Sequence, residues 1–193
     1  MKSRILALFF IFIFTSQSFA QYNFVKKISD QNKLVYEVEF PESISNLNSD
    51  GKIDYPEYSL NTDSGKPVLP SKNILVVIPP FSKVKVSLTN QTYNVVENVI
   101  PQSAPEIVKV NDSLISYKQT ELDESIFTTE TFPEKEFEIV GYKWMKDFYV
   151  AEIKLNTHRF NWKNKTISVL LKSNIDVQIM DVKNYKPSNA RFD

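Results

Sequence analysis

Apolar and polar residues alternate with a period of two along several separate stretches of this chain. That is the spacing of a strand with one buried and one wet face. Leu34, Tyr36, Val38 and Phe40 fall on one side and Val35, Glu37 and Glu39 on the other, until Pro41 stops the run. Lys83-Val84-Lys85-Val86-Ser87-Leu88 repeats the pattern. So do residues 148–155, with Tyr149, Ala151, Ile153 and Leu155 in phase, and residues 173–182, with Ile175, Val177 and Ile179 in phase. Ile74-Leu75-Val76-Val77-Ile78 is different: an unbroken aliphatic run, closed by Pro79 and Pro80, which predicts a strand buried on both faces. Shorter strands are predicted at 22–29, 92–100, 106–110 and 114–117, and again from Phe137 through Ile139 and Gly141 to Trp144. Residues 160–167 read as a hairpin turn. No helical period of useful length appears after residue 20. The prediction is an all-β protein, an antiparallel β-sandwich of two packed sheets.

The first twenty residues belong to a different regime. Lys2 and Arg4 precede an apolar run from Ile5 to Phe14, and Ser18-Phe19-Ala20 ends it with small residues at the positions a signal peptidase reads. The run is shorter than the roughly 20 residues a membrane-spanning helix needs. A signal peptide is expected over 1–20, cleaved between Ala20 and Gln21, with no membrane attachment after its removal. The sandwich domain then covers 21–182, and 183–193, with Pro187, Ser188 and Asn189, has the composition of a linker or tail. Export from the cytoplasm is expected.

Charge and residue inventory exclude several kinds of chemistry. Among the 193 residues, Lys+Arg and Asp+Glu both number 23, so no basic excess serves a nucleic-acid backbone. Cysteine is absent, which removes disulfides, a thiol nucleophile, thiolate zinc sites and lipid attachment after the signal. His158 is the one imidazole, beside Arg159 at the end of a predicted strand, where an exposed strand position is expected. No Gly-x-Ser-x-Gly elbow and no glycine-rich phosphate loop is present. Asn46, Asn48, Asp50, Gly51, Asp54 and Glu57 have the spacing of an EF-hand loop. Asn at the first ligand position, Pro56 before the last, and flanks without helical period favour a polar turn instead. No catalytic residue, metal or cofactor is expected. Residues 118–136 form the longest stretch without a period, with six acidic residues against Lys118 and Lys135; a loop of that length is functional or a solvated surface.

Gly65-Lys66-Pro67-Val68-Leu69-Pro70, preceded by Asp50-Gly51 and by Tyr58 and Leu60 and followed by Ile78-Pro79, resembles the propeptide domain of gingipain-type cysteine peptidases. Lys146-Asp147-Phe148-Tyr149-Val150-Ala151-Glu152-Ile153-Lys154-Leu155, Asn161 and Ile167-Ser168-Val169 resemble that family's closing hairpins. The resemblance implies a β-sandwich that helps a caspase-like catalytic domain fold, and covers its cleft until proteolysis removes it. It also implies export by the type IX route, to a secreted, periplasmic or cell-surface location of a Gram-negative bacterium. The His–Cys dyad of that domain would lie downstream in the same precursor or on another polypeptide, because this chain has no Cys.

Inhibition of that kind needs a segment that enters the cleft like a substrate. Lys118 and Lys135, flanking the long loop, are the inhibitory-loop candidates for a peptidase specific for basic residues; Arg159 lies on a predicted strand and Arg191, in the tail, is the processing candidate. The alternative function is a free-standing exported binding module for cell-surface or carbohydrate recognition, with Trp144 or Trp162 as a stacking platform. Core or hairpin packing is the expected role of both tryptophans.

Overall fold

A computed structural model describes residues 23–29, 32–42, 58–60, 63–111 and 114–181. The signal segment with Ala20 and Gln21, the 46–57 turn and the tail with Arg191 lie outside the described residues.

Twelve strands account for nearly all the regular structure there. They are β1 (Asn23–Ser29), β2 (Lys33–Glu39), β3 (Ser59–Leu60), β4 (Pro70–Val77), β5 (Lys83–Val96) and β6 (Glu106–Asn111). After them come β7 (Leu114–Lys118), β8 (Thr131–Phe132), β9 (Phe137–Met145), β10 (Phe148–Leu155), β11 (His158–Asn161) and β12 (Thr166–Met180). A 3-10 turn lies at Glu124–Thr128. The all-β prediction holds.

Strand β12 organises the larger sheet. It pairs with β5 along one edge, from Ile167 to Met180. Along the other it pairs in succession with β11, which carries β8, and with β2, which carries β1. All of these pairings are antiparallel. The smaller sheet has the order β3-β4-β10-β9, and β6-β7 forms a separate two-stranded ribbon.

The core lies between the two main sheets. Leu34, Val38, Val84, Val86, Ile175, Val177 and Ile179 from the larger sheet meet Ile74, Val76, Ala151, Ile153 and Leu155 from the smaller. Apart from Ile74 and Val76 these are the in-phase residues of the period-two pattern, and each large aliphatic contributes about 1.5–3 kcal/mol on burial. Tyr142 on β9 also reaches across, accepting a hydrogen bond from the Val84 amide of β5 at 3.1 Å.

Several expectations are corrected. The run 74–78 is not buried on both faces: Ile74 and Val76 are buried, but Leu75 is 42% and Val77 53% exposed. The predicted strands 83–88 and 92–100 are one strand, β5, carried through Thr89-Asn90-Gln91 by a bulge in which Asn90 has φ +53. A polar triplet hides that continuity in sequence, and the positive φ at Asn90 is one that asparagine tolerates. The strand stops at Val96, and the Val99 amide instead donates to Lys165 across a turn. His158 is not an exposed strand end: it is 0% exposed, 3.0 Å through Nδ1 from the Thr157 hydroxyl.

Candidate functional site

The conformation of Gly65 sets the site. Its φ is +75, a left-handed value that favours glycine, and a Cβ there would lie 3.2 Å from Asp123 Cβ. The turn it makes holds two distant parts of the chain at once. The Gly65 amide donates to Ala104 O at 2.9 Å, the Ala104 amide to Lys66 O at 2.8 Å and the Val68 amide to Gln102 O at 2.8 Å. On the other side, the Asp123 amide donates to Gly65 O at 2.8 Å. The Lys66 ammonium sits 3.2 Å from the Asp123 carboxylate and also donates to the Ser125 hydroxyl. The Ser103 hydroxyl donates to Thr120 O, and the Thr120 hydroxyl to Ala104 O at 2.8 Å.

Residues 102–104 and 119–123 are the two legs of the β6-β7 ribbon, so this network is its base. An isolated two-stranded hairpin is marginal in water, and the clamp supplies the constraint that the ribbon's own pairing lacks. Neither strand joins either main sheet. Ile107, Val108, Tyr117 and Lys118 are exposed on it, Tyr117 at 68%.

The acidic stretch beyond the ribbon is fastened down. The Asp123 side chain caps the 3-10 turn by accepting from the Ser125 amide at 2.8 Å. The same contact, then the Ser125 hydroxyl and Lys66, holds the Asp123 carboxyl below the usual aspartate range. Ile126 is buried. Trp162 stacks edge-on against Phe127 at 5.2 Å and donates from Nε1 to Thr129 O at 2.7 Å. Arg159 spreads its guanidinium over Pro133 O at 3.1 Å, Glu134 O at 2.8 Å and the Thr131 hydroxyl at 2.9 Å. Glu136 accepts from Arg159 at 3.4 Å and from the Tyr93 hydroxyl at 3.0 Å. Burial first, and the Glu136 carboxylate second, push the Tyr93 phenol up to about 12. A groove of about 420 Å³ runs between the Gly65 turn and this segment, with Lys66, Glu134, Lys135, Glu138 and Lys154 on its walls. Its mixed signs give an ion of either charge no net preference.

The candidate residues separate accordingly. Lys118 ends β7 at the foot of the projecting ribbon and is exposed. Lys135 is exposed on the fastened segment, where its carbonyl accepts from Asn156 Nδ2 at 2.8 Å. Arg159 lies on β11, as expected, and is engaged in holding that segment. Trp162 packs as expected, and Trp144, 45% exposed, packs across the β9-β10 hairpin with its ring 5.3 Å from that of Tyr149. Sequence reading located both strands of the ribbon, but not their separation from the sheets. Two short strands flanking turn residues already signal a hairpin.

No protein-family model and no curated protein sequence matches the chain. Solved structures do. The chain is similar to one in the complex of Porphyromonas gingivalis RgpB pro- and mature domains, with a TM-score of 0.63 and 12% identity over 84% of this chain and 90% of that one. It is also similar to a structure of gingipain K from Porphyromonas gingivalis that addresses zymogenic latency, with a TM-score of 0.55 and 11% identity over 86% of this chain and 95% of that one. The resemblance carried by residues 65–70 and by the closing hairpins therefore holds as a likeness of fold across most of the described chain.

Proposed function

We propose that this chain is the pro-segment of a gingipain-like cysteine peptidase, assisting the catalytic domain's folding and covering its active site until proteolysis removes the lid. The observation that carries the reading is the β6-β7 ribbon: an apolar projection on a clamped base, in a fold similar to one solved with gingipain pro- and mature domains. A chain without Cys cannot supply the thiolate of a His–Cys dyad. The peptidase is therefore a partner, downstream in one precursor or separate. Residues 1–20 serve its export and Arg191 marks a processing point, in line with secretion to the surface of a Gram-negative bacterium by the type IX route.

Lys118 and Lys135 are the candidates for the basic side chain offered to the specificity pocket. The test is inhibition of the cognate peptidase by the purified chain, repeated with Lys118→Ala and Lys135→Ala. Tight inhibition that weakens about tenfold in one variant supports both the function and the residue. No inhibition by the wild-type chain sinks the function; an unchanged inhibition constant in both variants removes the residue assignment.

A second reading, a free-standing binding module, is favoured by the half-exposed Trp144. Its ring lies 6.2 Å from that of Phe81, which is itself exposed, and 5.3 Å from that of Tyr149. Quenching or shift of tryptophan fluorescence on titration with soluble oligosaccharides, lost in Trp144→Ala, separates this reading from the first.

A further inference from the structure

Strand β9 ends the smaller sheet. Strand β10 pairs along one side of it, and among the described residues no strand pairs along the other. An edge strand offers its outward N–H and C=O groups to any further chain, and lysines along the edge are a common defence. The other long edges carry them: Lys26 and Lys27 on β1, Lys83 and Lys85 on β5. On β9 the two charges have opposite signs, Glu138 and Lys143, and between them Ile139 and Val140 are 37% and 57% exposed.

The pairing of β9 with β10 has one irregularity. Glu152 stands opposite Gly141 and Ile153 opposite Ile139, which leaves Val140 as the extra residue of a bulge. Directly opposed residues share a face. Phe137 and Ile139 before the bulge, and Tyr142 and Trp144 after it, therefore share the inner face with Leu155, Ile153, Ala151 and Tyr149. Glu138, Gly141 and Lys143 share the outer face with Lys154, Glu152 and Val150. The bulge reverses the phase of the strand at its middle.

A strand so built is complementary to itself. Turned antiparallel about a two-fold axis between Val140 and Gly141, it sets Phe137 against Trp144, Glu138 against Lys143 and Ile139 against Tyr142 of a second copy, each pair occurring twice. In a regular strand this register would oppose inward to outward residues. With the bulge, each of these pairs shares a face. They are aromatic with aromatic, anion with cation and β-branched with aromatic, the combinations that stabilise a sheet. The outer face gains a row of alternating sign: Lys154 opposite Glu138, then Lys143 of the second copy, which contacts its own Glu152 at 2.6 Å.

We propose that the free edge of β9 is a self-association surface, joining two copies of this chain into a two-fold dimer whose smaller sheets form one continuous sheet. The proposal stands apart from the peptidase reading and survives its failure.

Sedimentation of the full chain from about 1 to about 300 µM should show a monomer–dimer equilibrium. Glu138→Lys and Lys143→Glu should each weaken it about tenfold, since each sets like charges opposite one another twice. An equimolar mixture of the two variants should recover the wild-type dissociation constant, because every 138–143 pair between them is again one anion and one cation. Melting temperatures check that both variants fold. If either does not, hydrogen exchange of the wild-type chain decides: amides of residues 137–145 should slow as concentration rises through the dissociation constant. A wild-type chain that stays monomeric throughout the range overturns the proposal. A dimer that neither variant weakens, that the mixture does not restore, or that leaves exchange in β9 unchanged uses another surface and overturns it too.

Discussion

Lys66 Nζ lies 3.2 Å from the Asp123 carboxylate, across 57 residues of chain. The pair is half exposed, and as an isolated ion pair it would contribute little. Its weight comes from position: it closes a turn whose backbone groups already bond to both legs of the β6-β7 ribbon. The turn that begins the central strand β4 thereby also fixes the direction of the projecting ribbon.

Gly65→Ala should loosen that base. The alanine must adopt a left-handed φ, at about 1–2 kcal/mol, with its Cβ 3.2 Å from Asp123 Cβ. Urea unfolding should show the lower midpoint, and hydrogen exchange should quicken in residues 102–111 and 114–123. An unchanged midpoint would remove the turn's structural role.

Asp123 should make stability acid-sensitive. The Ser125 amide foremost, then the Ser125 hydroxyl and Lys66, depress its carboxyl in the folded state. A depressed folded value adds stability above the unfolded value, about 3.9, and that stability is lost as pH falls through the folded value. The melting temperature of Asp123→Asn should lie below wild type near neutrality and converge with it in acid. Parallel curves down to about pH 2 would contradict the assignment.

At the alkaline end the sign reverses. Tyr93 is raised to about 12 by burial and then by Glu136, so its contribution is complete below about pH 10, the unfolded value, and fades as pH climbs toward the folded one. Tyr93→Phe should flatten the alkaline fall in melting temperature, and ultraviolet titration should lose its latest phenol. Retention of that late phenol in the variant would point to another tyrosine.

Arg159 should matter to folding more than to inhibition. Its three contacts to Thr131, Pro133 and Glu134 converge from one planar fork, a geometry that lysine cannot reproduce. Arg159→Lys and Arg159→Leu should each cost about 2 kcal/mol and expose residues 129–136 to proteolysis. Wild-type resistance in both variants would show that Trp162 and Ile126 suffice to hold the segment.

Much of this was legible in the residues. Polarity along a strand is a local property, so the alternation at Leu34, Tyr36 and Val38, or at Ile175, Val177 and Ile179, determined which side chains face inward and that the layers are sheets. The positions of Lys118, Lys135 and Arg159 relative to predicted strands followed in the same way. Prolines at 79 and 80 ended β4 because the chemistry of the ladder demands it.

Tertiary closure decided the rest. An aliphatic run such as 74–78 does not record whether its second face meets a core or stays open; the exposure of Leu75 and Val77 in the folded sheet decided that. His158 is buried because β11 joins β12 in the interior, not because its neighbours are apolar. Asn90 continues a strand that its own polarity would end, since β12 runs alongside and the backbone accepts a bulge. Gly65 meets Asp123 for the same reason. Chain segments dozens of residues apart come together only when sheets close, and no local composition encodes that distance.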